Sequence, residues 1–353
     1  MKRLRLGIVG LCHPHTGGWM QTFRLIPEIE LVAVCDADEK ALASYKDKVG
    51  ATHASPLSFN NLDDMLRKAD LDLAMILLPN ADVPGAAIKA IRAGAHLMVE
   101  KPCARNAAEF APVVKAAKAA RVKLSVGYCW PFHPISKDVR AFIQQGLLGR
   151  PWAIEARMVT TTVLSRNPKH WLFKRALSGG GILSWLGCHW LDLMHFFLHS
   201  EVAEVNAITA EVGGNGIDVE DAASVSLRYE NGVVGTLVAG YYLKRAGDTK
   251  DMFFGIRGSE GAVSWEPSAP TVRMYSACPE WASSPERTFT YNLPPCPAYA
   301  GQWGLDHMKD FLSAVRTGRD PLVTGENALR VLRILDAAYA SARTGRTVKL
   351  SRW

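Results

Sequence analysis

Five short, almost uninterrupted apolar runs in the first 127 residues limit most tightly what this chain can become. They are LRLGIVG (4–10), LVAVCD (31–36), LDLAMILL (71–78), AHLMVE (95–100) and VKLSVG (122–127). A strand that faces water on one side alternates apolar with polar residues, whereas a strand buried on both sides is apolar throughout. Between the runs, VPGAAIKAIRAG (83–94) closes on Gly94, and NAAEFAPVVKAAKAA (106–120) opens with Asn106 and carries Glu109 at capping-box spacing. Both are helix signatures. Strand and helix in regular succession predict βαβ units and a doubly wound, parallel sheet: a Rossmann domain over residues 1–127.

Beyond residue 150 the texture changes to long segments rich in β-branched and alternating residues. Examples are WAIEARMVTTTV (152–163), AASVSLRYENGVVGTLVAGYYL (222–243) and MFFGIRGSEGAVSWE (252–266), broken by the turns ENG and SEG. Turns of this kind predict hairpins. The expectation for residues 128–353 is therefore an α+β domain with a large, mostly antiparallel open sheet. One helix at about 183–198 interrupts it, a long surface loop is expected at 278–303, and two helices follow at about 304–317 and 325–343, with packing back on the first domain an open alternative for them.

The formal net charge of +7 suits an acidic partner. The basic residues are dispersed, with no run of five or more, which argues against nucleic acid and for a phosphate-bearing small molecule. No stretch approaches the roughly 18 to 20 uncharged apolar residues of a membrane span. The basic-then-apolar start runs into a Gly/His loop without a cleavage site, so a cytoplasmic location is expected. The seven cysteines contain no Cys-x-x-Cys pair and are expected to be reduced. No metal is expected, either at Cys12, His13 and His15 or at His195 and His199, because neither set has the ligand pattern of a known site class.

GIVGLCHPHTGG (7–18) follows the first strand, where a dinucleotide loop belongs. Gly10 begins a G-x-G-x-x-G pattern in which Cys12 and His15 take the later glycine positions; the bland alternative is a glycine-bearing turn. Gly10, Cys12, His13 and His15 are the candidate cofactor-loop residues. Asp36 ends the second run and is placed to accept hydrogen bonds from ribose hydroxyls, with a turn or cap residue as the alternative. No arginine follows it, which favours NAD over NADP. Lys101, in LMVEKPC, stands at the carboxyl end of a buried run, and Pro102 biases it toward extended backbone. Desolvation there would lower its pKa from about 10.4; the bland alternative is an exposed lysine in a strand-to-helix loop. In LSWLGCHWLD (183–192), Trp185 and His189 are i, i+4 and Asp192 is i+3 from the histidine. The carboxylate could orient the imidazole as a base; the alternative is a buried helix with a satisfied histidine.

Taken together, EKP (100–102), LLPN (77–80), GY (127–128), FHP (132–134), GGG (179–181), GCHWLD (187–192) and the terminal segment 324–350 resemble the Gfo/Idh/MocA family. The resemblance implies hydride transfer between NAD(P) and a hydroxyl or keto carbon of a sugar, cyclitol or glycoside. It gives Lys101 and His189 the proton transfer and makes Asp192 a pocket carboxylate. Leu78, Pro79, Asn80, Glu100 and Lys101 itself join the cofactor site. Tyr128, Trp130, His133, Trp185 and His189 line the substrate pocket, whose aromatic character suits the apolar faces of sugar rings. A homodimer or homotetramer is expected. The chain departs from the family pattern at Trp185, where many members carry a catalytic aspartate, and at Cys12, His15, Leu78 and Pro131. These departures keep open two alternatives: a glycoside-cleaving enzyme using NAD transiently, and a binding or regulatory protein on the same fold.

Overall fold

The computed structural model describes residues 2–49, 56–244, 250–267 and 269–351. The chain divides into two compact units, residues 1–129 with 295–329 and residues 130–294 with 330–353.

In the first unit, β1 (Leu4–Val9), β2 (Ile29–Cys35), β3 (Leu57–Phe59), β4 (Leu73–Ile76), β5 (His96–Val99) and β6 (Leu124–Val126) form one parallel sheet in the order β3-β2-β1-β4-β5-β6. This is the doubly wound order, and its reversal between β1 and β4 opens a crevice outside the strands' carboxyl ends. The apolar runs are continuous for a physical reason: Leu6, Ile8, Met75, Leu77 and Met98 are all buried, with helices completing the core. β3 has only three residues, too few to announce itself in the sequence. The helices α1 (Thr16–Arg24), α2 (Glu39–Val49), α3 (Leu62–Lys68), α4 (Val83–Arg92) and α5 (Ala107–Ala120) connect the strands. Asn106 caps α5 by accepting from the Glu109 N–H at 3.0 Å.

The second unit holds a sheet of nine strands. They are β7 (Pro151–Thr161), β8 (Val202–Ala210), β9 (Ala222–Tyr229), β10 (Val234–Leu243), β11 (Lys250–Gly258), β12 (Gly261–Trp265), β13 (Thr271–Ser276), β14 (Glu286–Thr290) and β15 (Val348–Lys349). Their order is β14-β13-β12-β11-β7-β10-β9-β8-β15, and only the β7–β10 pair is parallel. α6 (Pro134–Gln144) and the one-turn α7 (Arg175–Ser178) precede α8 (Cys188–Leu198). Part of the segment expected to be loop is strand β14, because the polar ERTFT pairs with β13 at the sheet edge and carries no apolar alternation to reveal it. Along β10, Leu237, Ala239 and Tyr241 are buried, whereas Val234, Val238 and Tyr242 are exposed, so one face of this sheet carries the core and the other is open.

α9 (Gln302–Thr317) belongs to the first unit although it lies far along the chain. Leu305, Met308, Phe311 and Leu312 join Leu6, Ile8 and Trp19 in one core. α10 (Gly325–Thr344) follows. Phe311 is fully buried, so Phe311→Ala should lower unfolding free energy by about 3–5 kcal/mol, read by chemical denaturation.

Candidate active site

In the first unit the site begins at Gly10, which has φ +90 and whose absent Cβ would sit 2.7 Å from the Leu77 carbonyl oxygen. Only glycine tolerates that combination, and it brings the loop after β1 against residues 77–80. Leu78 reaches Gly10, and Asn80 is buried. Asp36 accepts from the Leu11 N–H at 2.7 Å and the Asp38 N–H at 2.8 Å, which fixes its carboxylate beside the loop. His15 precedes α1 without capping it through its side chain, so the helix presents an uncapped N-terminus. Such an end, next to a backbone bare of Cβ and a carboxylate ending β2, fits a dinucleotide's phosphates and ribose.

Glu100 sits at the centre of this region, fully enclosed. Its Oε1 accepts from Trp19 Nε1–H at 2.5 Å and lies 3.0 Å from His15 Nδ1, and its Oε2 accepts from the Lys101 N–H at 2.9 Å. His13 Nε2 lies 4.0 Å from Oε2. Burial pushes the carboxyl pKa up, but His15 and then His13 pull it further down, so it remains well below the usual range. The sequence marks both histidines and Glu100 as cofactor-site candidates but not their pairing, which spans 85 residues from His15. The trio of His13, His15 and Glu100 has the composition of a metal site. His13 Nδ1, however, accepts the His15 N–H at 3.2 Å, so a neutral His13 carries its proton on Nε2 and turns a donor toward Glu100. The cluster as built surrounds a buried carboxylate with two imidazoles. Tyr299 covers His15, with ring centroids 4.6 Å apart.

Lys101 follows Glu100 at the end of β5 and is 0% exposed. The Lys101–Pro102 peptide is cis. Tyr128 is buried at the end of the same sheet's last strand.

In the second unit, residues 183–192 are not one regular helix. Leu183–Gly187 is a π turn, and α8 begins at Cys188. The wider turn rotates Trp185 relative to His189 compared with the α-helical i, i+4 spacing read from sequence. Trp185 is buried edge-on to Trp171 at 6.2 Å, and His189 is buried one residue into α8. Glu220 holds the turn: its carboxylate accepts from the Gly181 N–H (2.8 Å), the Leu183 N–H (3.1 Å) and the Tyr339 hydroxyl (2.9 Å). A Cβ on Gly181 would meet the Glu220 carbonyl oxygen at 1.8 Å, so the glycine run permits this approach. The glycines hinted at close contact; nothing local named Glu220 or Tyr339.

Asp192 is buried, and its Oδ2 has no hydrogen-bond partner among the described residues. Burial pushes its pKa up to about 8, against a weaker pull from Arg330, so near neutral pH it holds its proton. Arg330 is itself engaged by Glu201 at 2.8 and 2.9 Å. His133 caps α6 by accepting from the Ile135 N–H at 3.2 Å, and burial followed by Lys137 brings its pKa down to about 4. Trp130 stacks on His133 and meets Trp190 edge-on at 4.9 Å.

Residues 4–128 match the profile described as "Oxidoreductase family, NAD-binding Rossmann fold", and residues 136–264 match the "GFO/IDH/MocA C-terminal domain". The chain belongs to the Gfo/Idh/MocA family. It is an oxidoreductase with an NAD-binding Rossmann domain. It is similar to the D-apiose dehydrogenase of Paraburkholderia graminis, at 25% identity over 99% of this chain and 90% of that one. It is likewise similar to the myo-inositol 2-dehydrogenase of Thermotoga maritima, at 25% identity over 98% of each. Among solved structures, the aldose-aldose oxidoreductase of Caulobacter crescentus complexed with glycerol superposes with a TM-score of 0.82 at 26% identity, over 99% of this chain and 100% of that one. Among the described residues, no helix is long and apolar enough to cross a membrane.

The two buried carboxyls should respond to pH in opposite directions. Glu100 has a lowered folded pKa, so its ionised form stabilises the protein at neutral pH and loses that effect as pH falls below about 4.5. Glu100→Gln should therefore lower the unfolding midpoint at pH 7, with the deficit shrinking in acid. Asp192 has a raised folded pKa, so its cost grows as pH rises from about 4 toward about 8. Asp192→Asn should gain stability relative to wild type across that interval, measured by thermal unfolding at several pH values.

Proposed function

We propose that this enzyme transfers hydride between NAD and a hydroxyl or keto carbon of a sugar, cyclitol or glycoside, with Lys101 and His189 managing the accompanying proton. The observation that carries the reading is Lys101: a fully buried lysine at the carboxyl end of β5, directly after the caged Glu100. Bound NAD would supply the redox chemistry. Gly10, Cys12, His13 and His15 would face its phosphates, Asp36 its ribose, and Leu78, Pro79 and Asn80 its flank. Lys101 would take the proton from the reacting hydroxyl, or return it in the reverse direction, and His189 would share that transfer. Asp192, protonated in its buried position, would act as a hydrogen-bond donor in the pocket rather than as a fixed negative charge. Tyr128, Trp130, His133 and Trp185 would give the substrate apolar surface and shape.

NADH formation with a panel of sugars, cyclitols and glycosides tests this. Lys101→Ala and His189→Ala should each lower kcat by at least about a hundredfold, His189→Ala with NADH affinity retained. Turnover unchanged by both substitutions would remove these residues from the chemistry. Tightly held cofactor with substrate cleavage but no net NADH would favour transient redox instead.

The open face of the large sheet, with Ile208, Val234, Val238 and Tyr242 exposed, supports a homodimer or homotetramer. Light scattering should give a mass at least twice that of the chain, and Val238→Lys with Ile208→Lys should reduce it toward the monomer.

A further inference from the structure

Among the described residues, no carboxylate pairs with the Arg166 guanidinium. Other arginines of this unit are paired: Arg157 with Asp251, Arg228 with Glu204, Arg257 with Glu155 and Arg330 with Glu201. Arg166 follows the short turn Val163–Ser165 after β7, and its Nε is buried without a hydrogen-bond partner among the described residues. Its Nη2 has one long contact, 3.4 Å to Thr160 Oγ1. Nε–H and Nη2–H form one edge of the guanidinium, the fork that receives the two oxygens of a carboxylate. That edge is therefore largely unspent in a partly buried place, where an unmet charged donor costs the protein stability.

The position ties this edge to the reacting end of the unit. The guanidinium carbon lies 5.3 Å from the centre of the buried Tyr241 ring, which holds the fork against β10. Two residues earlier on the same strand face, Ala239 packs near Gly187, where the π turn passes into α8 and His189. Phe173 meets Tyr241 edge-on at 5.8 Å, and Trp171, two residues before it, meets Trp185. One arginine with a planar fork suits a carboxylate. A phosphate would call for a second cation, and Arg175 nearby in sequence is already committed to Asp218 through its backbone N–H and its Nε.

We propose that Arg166 is a specificity residue that binds a carboxylate of the substrate, which makes the preferred substrate a sugar acid, uronate or aldonate, rather than a neutral sugar. This rests on the oxidoreductase reading above, and it assigns the substrate class within it. The carboxylate takes the Nε–H and Nη2–H of Arg166, and the Tyr241 ring keeps the fork in plane.

Calorimetric titration in the presence of NADH tests the proposal, using glucose and galactose, their uronates and aldonates, and their 6-phosphates. At least one acid should bind wild type tenfold or more tightly than its neutral parent. Arg166→Gln should remove that preference, and Arg166→Lys should restore part of it, while NADH affinity and the weak binding of the neutral sugars stay unchanged. Neutral sugars binding as tightly as every acid would overturn it, as would equal losses for both classes in Arg166→Gln. Tighter, Arg166-dependent binding of a 6-phosphate would overturn it in favour of phosphate recognition. Acids that bind through Arg166 yet yield no NADH in any assay would count against the hydride-transfer reading while leaving the carboxylate site standing.

Discussion

A negative charge sealed inside the first unit organises the cofactor half of this enzyme. Glu100 can be ionised there only because an indole N–H, a backbone N–H and two imidazoles converge on it. Satisfying that carboxylate fixes the loop after β1, the first turn of α1 and the start of the strand-to-helix connection at Lys101. Two stretches more than 80 residues apart in sequence are thereby held by one group. The broken glycine pattern makes sense in this light: His15 stands where a third loop glycine was expected, and it supplies a partner to Glu100 that a glycine could not.

The second unit solves a similar problem with another buried acid. Glu220 gathers two backbone N–H groups of the glycine-rich turn and the Tyr339 hydroxyl. The result is a π turn at Leu183–Gly187 that feeds directly into the helix carrying His189 and Asp192. Trp185 is drawn into contact with Trp171 by that geometry. Trp185 is buried there as an apolar side chain, and Asp192, further along the same segment, keeps its proton in its own buried position.

The parallel sheet was legible because burial on both faces leaves a continuous apolar signature, and the antiparallel sheet because hairpin turns punctuate it. Gly10, Asp36, Lys101 and His189 were legible as candidates because each occupies a position defined by local pattern. What could not be read was partnership across distance. Nothing near Glu100 announces His15, nothing near Gly181 announces Glu220, and the spacing of Trp185 and His189 looks α-helical until the π turn is seen. Strand β14 escaped because an edge strand with polar residues on both faces has no apolar rhythm.

The return of residues 295–329 to the first unit has a consequence for how the molecule is made. When residues 1–129 have emerged from the ribosome, the surface that will receive Met308, Phe311 and Leu312 is still bare, and about 165 further residues must be synthesised before its cover arrives. The nucleotide-binding half is closed only after most of the other unit has been made. The intervening unit has all but its final strand and part of α10 in hand by then, so it is the half able to gather its sheet while the cover of the other is still being made.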